Sequence, residues 1–534
     1  MRRLLAAASI CATLCIQAFP ASAAPSGRVV LVTLDGTRLS DWHSPDLPVL
    51  GSVMRTGAVA LLSTRTAENL ADPAGARATA YQTLGAGRIS KNGDAAALVR
   101  SLERAGVMTS VIGSRIEDAA PSAELTTTRA RPLPERADAA FPTGSRVELF
   151  AARATLDAAL QTSRVVAVDF GDTARVDKAY GDDPVHRSQW IRLAMARADA
   201  FLEFIRARLT RNDTLIVASL TPPRQRREVR RFVSVVAVVG PGIRPGMLTS
   251  SSTERDGVVT IADLTATILD RAGVEQPDAM TGSAMRALPR AGAPDALASL
   301  ERDLIHASLV RGPLMRGAMI AGSALAVLAL LTVVAGRGRA GRARGFPTTW
   351  RGLLDTGLIA VAMLPLLYLV EPLAGATGLA PTVITIAAVA VVAALILRSA
   401  IGSRAAIPGI LGVTTIAILA DLVIGGGLAE RSPISYLIVE GARFHGIGND
   451  AMGVVIGAAL LTAAATLDRE PSTRRLVGVG AGLALAAGAM IAPQAGAKFG
   501  AVPAAVPAFA LLVFLATGRR FDVRVAIGVA IVTV

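Results

Sequence analysis

Cysteine is nearly missing from this chain of 534 residues: there are two, Cys11 and Cys15. Both fall inside the N-terminal leader described below, so the remainder has no disulfide framework and must hold its fold by core burial. Histidine is almost as scarce, and only His43 and His186 lie ahead of residue 306. That leaves few imidazoles for a zinc centre. Aromatics amount to 4% of the chain, and no basic helix interleaved with them occurs. A nucleic-acid partner is therefore set aside despite a net charge of +14. Charge itself thins out in the second half, where long apolar runs take over and arginines collect in the short loops between them.

What is present begins with a leader. Arg2 and Arg3 precede an apolar run from Leu4 to Phe19, and Ala21-Ser22-Ala23 offers an A-x-A cleavage site. Residues 1–23 are predicted to be a signal peptide, with a short first membrane span as the alternative. Leu14 before Cys15 does not suit a lipoprotein signal. Residues 24–305 are predicted to form an exported domain and residues 306–534 a membrane domain.

The exported domain alternates strands and helices. Val29 to Thr33 is an unbroken apolar or β-branched run, as expected of a strand buried on both faces, and it leads into Asp35 and Gly36. Ala58–Leu62, Thr109–Ile112, Val165–Asp169, Asp213–Ser219 and Phe232–Val239 read as further strands. Helices are expected from Pro73 to Gly85 behind the cap Asp72, and over Ala95–Ala105, Glu148–Leu160, His186–Leu209 and Val258–Ala272. Residues 116–147 read as a loop, and 282–316 as a connection. The alternation predicts a three-layer α/β/α domain with a mostly parallel sheet, followed by an all-α polytopic membrane domain. In such sheets ligands bind outside the carboxyl ends of the strands, where Asp35 stands. Asp35-Gly36 could equally be a strand-to-helix turn with an Asx cap.

Three stretches carry a resemblance: VVLVTLDG, DTLIVASLTPP and VVTIADLTATILDRAGVEQP. In order and spacing they resemble the alkaline phosphatase superfamily of phosphatases, phosphodiesterases, sulfatases and phosphoethanolamine transferases. The resemblance implies two divalent ions clamping the attacking and leaving oxygens, with Asp35 as the first ligand. Where the family's Asp-His pair would stand, this chain has Leu220 and Thr221, then Pro222 and Pro223. Thr173 stands where a histidine often follows the second carboxylate, Asp169. Asp35, Asp169 and Asp172, with Asp177 nearby, remain candidates for an oxygen-rich metal site, so a divalent metal is conceivable but its site reads as incomplete. The nucleophile candidates are Asp72, Thr66 and Thr79. His43 and His186 are weaker ligand candidates, and RQRREVRR at 224–231 reads as a solvated charge run or a surface for anionic lipid.

Seven apolar stretches are long enough to cross a bilayer: Gly317–Gly336, Leu353–Val370, Ala380–Leu397, Ala405–Ile424, Ala451–Leu467, Leu476–Ala492 and Val502–Thr517. An eighth runs from Val523 to Val534 and is too short to span, so a longer protein is expected. Arg337, Arg339, Arg342, Arg344 and Arg351 mark the first loop. Arg398 and Arg404 mark the third, Arg469, Arg474 and Arg475 the fifth, and Arg519, Arg520 and Arg524 the seventh. Basic loops thus alternate with poor ones, which predicts a multi-pass protein of the cell membrane with its N-terminal domain extracytoplasmic. The densest outward-facing polar stretch is EGARFHGIGNDAMG, with Glu440, Arg443, His445, Asn449 and Asp450. It reads either as a solvated loop or as a polar floor holding a lipid head group or polymer end.

The expectation is a membrane-anchored protein whose outer domain has lost ordinary catalysis and binds a phosphorylated or anionic envelope ligand or partner, in contact with membrane lipids. The alternatives are an active metal-dependent phosphotransferase or phosphodiesterase acting on envelope lipids or glycans, and an envelope lipid or polymer transporter.

Overall fold

A computed structural model of the protein describes residues 27–68, 72–91, 93–113, 125, 129–337, 348–375, 377–469 and 472–517. The leader, part of the 116–147 loop and the apolar stretch from Val523 lie outside the described residues.

The α/β half contains strands β1 (Val29–Thr33), β2 (Ala58–Ser63), β3 (Thr109–Gly113), β4 (Ala130–Pro132), β5 (Glu135–Ala137) and β6 (Ser145–Val147). Then come β7 (Val165–Asp169), β8 (Thr214–Ala218), β9 (Val233–Val239), β10 (Gly246–Thr249), β11 (Val258–Thr260) and β12 (Arg286–Pro289). Its helices are α1 (Leu39–Trp42), α2 (Pro48–Thr56), α3 (Pro73–Ala86), α4 (Ala97–Arg104) and α5 (Leu149–Thr162). They continue with α6 (Asp172–Tyr180), α7 (Pro184–Arg206), α8 (Arg224–Glu228) and α9 (Ile261–Ala272).

One sheet runs β12-β10-β2-β9-β8-β1-β7-β3-β4, with β11 also paired to β2. β9 is antiparallel to both β2 and β8, and β12 is antiparallel to β10; the other pairings are parallel. Alternate side chains of β1 enter different cores. Val30 and Val32 pack with α2 and α7, whereas Val29 and Leu31 pack with α3, α4 and α9. Burial on both faces explains why these strands are continuous apolar runs.

Local signals place the helices. Asp72 Oδ2 accepts from Gly75 N at 2.7 Å, Pro73 opens α3, and Gly87 closes it at φ 62°. The predicted helix Val258–Ala272 is shorter than expected, because Val258–Thr260 pairs with β2 as a strand and Thr260 then caps α9. Residues 282–316 are not an irregular connection. They hold β12 and the start of α10 (Ala293–Arg337), one 45-residue helix that runs from the α/β half into the helical half. The 305/306 boundary falls inside it.

Beyond α10 lie α11 (Thr348–Val370), α12 (Leu379–Ile401), α13 (Ser403–Val423), α14 (Gly427–Arg431), α15 (Asn449–Arg469), α16 (Thr473–Ile491) and α17 (Val502–Ala516). Seven helices among the described residues are long and apolar enough to cross a membrane. The two halves pack directly. Ile438 and Val439, from the segment before α15, are buried in the same core as Val30 and Val32, and Phe232 N donates to Val439 O at 2.7 Å.

Candidate functional site

β1 and β7 are parallel neighbours, with Thr33 opposite Asp169. Their ends therefore present Asp35 and Asp169 side by side at the edge of the sheet where ligands usually bind. Both carboxylates are buried. Between them lies the guanidinium of Arg77, delivered by the second turn of α3. Its Nε donates to Asp35 Oδ2 at 3.2 Å and its Nη2 to Asp169 Oδ2 at 2.7 Å. Leu220 N donates to Asp35 Oδ1 at 2.8 Å. The position where the resemblance calls for an Asp-His pair thus still closes on Asp35, but through the main chain. Tyr81, one turn beyond Arg77, donates to or accepts from Thr33 Oγ1 at 2.6 Å.

The electrostatics follow from burial. Burial opposes the Arg77 charge, but Asp169 and Asp35 outweigh it and push its pKa up. Burial raises the Asp169 carboxyl, with Arg77 acting against that rise. Burial, then Asp169 and Asp35, hold the Tyr81 phenol well above its ordinary value. The cluster is two carboxylates sharing one cation.

A divalent ion does not fit this donor set. Three of the four carboxylate oxygens already accept hydrogen bonds, and the guanidinium stands where the cation would sit. Only Asp169 Oδ1 is buried without a partner. Among the described residues no group of three or more His, Cys, Asp and Glu side chains is placed to hold a metal ion.

The other predicted residues lie elsewhere or are otherwise engaged. Asp172 is engaged by its own donors: it accepts from Val147 N at 2.8 Å, Arg175 Nη1 at 3.1 Å and Arg197 Nε at 2.9 Å. Asp177 accepts from Arg224 N at 2.9 Å and Arg227 Nη2 at 3.1 Å. Asp72 is exposed and committed to capping α3. Thr66 Oγ1 donates to Glu68 O at 2.6 Å and lies 3.3 Å from Thr79 Oγ1, which donates to Gly75 O at 3.0 Å. His43 faces Asp295 at 3.5 Å, and His186 pairs with Asp183 on the surface.

The run 224–231 is tied to its surroundings by ion pairs. Its first five residues form α8, from which Arg226 reaches Glu301 on α10 at 2.6 Å, and Arg230, just beyond the helix, reaches Glu440 at 3.7 Å.

The membrane-side motif is spread along the junction between the halves. Glu440 O accepts from Arg65 Nη1 at 3.1 Å, Asp450 pairs with Arg311, and Asn449 opens α15. Gly441, at φ 66°, comes so close to β2 that a Cβ there would lie 2.6 Å from Ser63 Oγ. Arg255 crosses the same junction, donating to Phe444 O at 2.8 Å and Tyr436 Oη at 2.9 Å, and pairing with Glu430 at 3.3 Å. Burial pushes the Tyr436 phenol up to about 12.

No family model matches the chain, and no curated protein matches it. Solved structures do. The lipoteichoic acid synthase LtaP from Listeria monocytogenes is 12% identical over 49% of this chain and 75% of its own, with a TM-score of 0.34. An alkaline phosphatase superfamily protein from Vibrio parahaemolyticus is 12% identical over 48% of this chain and 69% of its own, at 0.33. A TAB5 alkaline phosphatase mutant is 12% identical over 47% and 98%, at 0.32. Each of these likenesses covers about half of this chain, whose α/β half is joined to a helical half with seven membrane-length apolar helices among the described residues.

Proposed function

We propose that the α/β half no longer performs metal-dependent phosphoryl transfer and that, from the outer face of the membrane, it recognises a phosphorylated or anionic envelope ligand or partner. One observation carries this reading: Arg77 bridges Asp35 and Asp169 at the strand tips, where the resemblance would place a metal ion. A guanidinium supplies positive charge and geometry but no open coordination position for a water or a phosphoryl oxygen. The leader and the alternating arginine loops support the extracytoplasmic placement.

The test is metal analysis of the purified full chain together with phosphatase and phosphodiesterase assays. The expected result is no stoichiometric divalent ion and no turnover that depends on Asp35. Robust turnover abolished by Asp35→Ala would overturn the reading in favour of a metal-dependent phosphotransferase, which requires Arg77 to leave the carboxylates.

A further inference from the structure

Two cations lie close together, without a counter-ion among the described residues, where the helical half meets the α/β half. Arg443 belongs to the segment before α15, and Lys498 to the segment between α16 and α17. The Arg443 guanidinium is pinned across both segments. Its Nε donates to His445 O at 2.8 Å, and its Nη2 donates to Gly496 O at 3.2 Å and Ala497 O at 3.0 Å. Ile447 N also donates to Gly496 O, at 2.9 Å, and Ala497 takes a left-handed φ of 45° in closing the contact. Every one of these partners is a neutral carbonyl. Among the described residues neither Arg443 nor Lys498 forms an ion pair, although burial and Arg443 together push the Lys498 ammonium down. His445 Nδ1, two residues beyond Arg443 in the chain, is shielded from solvent and has no hydrogen-bond partner among the described residues.

A partly dehydrated guanidinium beside an ammonium, with an unsatisfied imidazole nitrogen, is unfavourable unless an anion completes the set. The location narrows the anion. Val439, four residues before Arg443, is buried in the α/β core. Asn449 and Phe499 begin membrane-length helices on that same side, and Phe499 is 75% exposed, as an interfacial aromatic would be. A cluster at the ends of two membrane-length helices is expected at head-group depth. Arginine takes two phosphate oxygens in parallel, and lysine adds a point charge.

We propose that Arg443, Lys498 and His445 hold the phosphate of an anionic phospholipid in the leaflet on the α/β side. The inference rests on the reading above that the ligand is anionic and envelope-borne, and it names that ligand's class and place.

The test titrates the detergent-purified full chain with phosphatidylglycerol, phosphatidylcholine or inorganic phosphate and counts bound molecules by native mass spectrometry. Phosphatidylglycerol is expected to bind in preference to phosphatidylcholine. Its affinity should fall about fivefold in Lys498→Gln and about thirtyfold in the double variant with Arg443→Gln, and hold in Arg474→Gln at the opposite end of α16. Arg443→Gln loses hydrogen bonds that join two segments, so Lys498→Gln, whose side chain makes none among the described residues, decides alone if the double variant misfolds. Unchanged affinity in Lys498→Gln, or equal binding of phosphatidylcholine, overturns the proposal. Inorganic phosphate that binds saturably and displaces the lipid overturns the lipid as the source of the anion. Turnover dependent on Asp35 would end the reading of the previous subsection and leave these binding results intact.

Discussion

Arg77→Met is the sharpest perturbation of the strand-tip cluster. Methionine approximates the arginine stem and removes the guanidinium, leaving Asp35 and Asp169 adjacent, buried and without a cation. Removing one partner of a buried ion pair costs about 3–5 kcal/mol. Because one cation serves two carboxylates here, the upper end of that range applies, against a total domain stability of about 5–15 kcal/mol. The pH dependence has a definite sign. Burial already raises the Asp169 carboxyl, and Arg77 restrains that rise, so its removal sends the pKa higher. A carboxyl with a folded pKa above its unfolded one binds more protons in the native state, so stability falls as pH rises through the folded value. Arg77→Met is therefore weakest at neutral pH and recovers on acidification, between its folded pKa and the unfolded value of about 3.9. The triple variant Asp35→Asn, Arg77→Met, Asp169→Asn buries no charge and should regain most of the loss. Denaturant unfolding of the full chain, followed by the fluorescence of buried Trp42, reads all three. A loss below about 1 kcal/mol near neutral pH, or a variant that loses ground to wild type on acidification, would refute the reasoning.

Further outcomes follow from the same contacts. Millimolar Mg²⁺ or Mn²⁺ should leave wild-type unfolding unchanged but stabilise Arg77→Ala by about 1 kcal/mol, because the vacated carboxylates become oxygen ligands. Asp263→Ala should cost about 2–4 kcal/mol, since its carboxylate accepts from Ser250 Oγ, Ser252 Oγ, Thr260 N and Ser283 N; Asp72→Ala, losing one exposed cap bond, should cost about 1. Denaturant melts rank the two. Gly36→Ala should lose about 1–3 kcal/mol in the same assay, because φ is 75° and the new Cβ would lie 2.6 Å from Asp177 Cβ. Arg255→Ala should expose the 425–448 segment to limited proteolysis while α10 stays protected, since Arg255 ties that segment to the α/β half at several points.

The parts of this fold that are legible in the sequence are those whose burial is local. β1, β7 and β8 are unbroken apolar or β-branched runs up to the carboxylate that ends β7, and α3 and α9 carry caps at both ends. β10, β11 and β12 are three or four residues long and exist because a neighbouring strand pairs with them, so no periodicity announces them. The polar first half of α10 and its internal Pro313 read as a linker, yet that half is where Leu297, Leu300 and Leu304 enter the core. Arg77 is the costliest omission. PAGARATAYQTLGA has no periodicity that marks one arginine as buried. The signal was indirect: two carboxylates ending neighbouring buried strands, with too few histidines to supply a metal site, require a cation from some other element. Glu440 and Arg443 were legible as a dense polar stretch, but not the burial of Ile438 and Val439 just before it, which turns the stretch into a junction.

That junction lies at a telling edge of the sheet. β9 is antiparallel, so its start at Val233 pairs with Ser63 at the end of β2, and Phe232 N reaches Val439 O there. β9 is separated from β1 by β8 alone, so the contact with the helical half sits about 10 Å, two strand spacings, from the column that ends in Asp35. The sheet edge that ordinarily receives ligands is thus turned toward the membrane-side segments, and α8 with the residues just after it continues the contact through Arg226–Glu301 and Arg230–Glu440. In this setting a guanidinium at the strand tips has a mechanical consequence. An ion that comes and goes would leave buried carboxylates repelling one another beside the junction, whereas Arg77 is covalently attached and permanently charged. On the proposed reading, the residue that stands between the two carboxylates also holds the strand-tip edge in one shape against the helical half. Spatial continuity alone does not establish energetic coupling, but it fixes where coupling must be sought: a loss of lipid affinity in Arg77→Met, with Arg443 and Lys498 intact, would require the strand tips and the head-group cluster to share one two-state element.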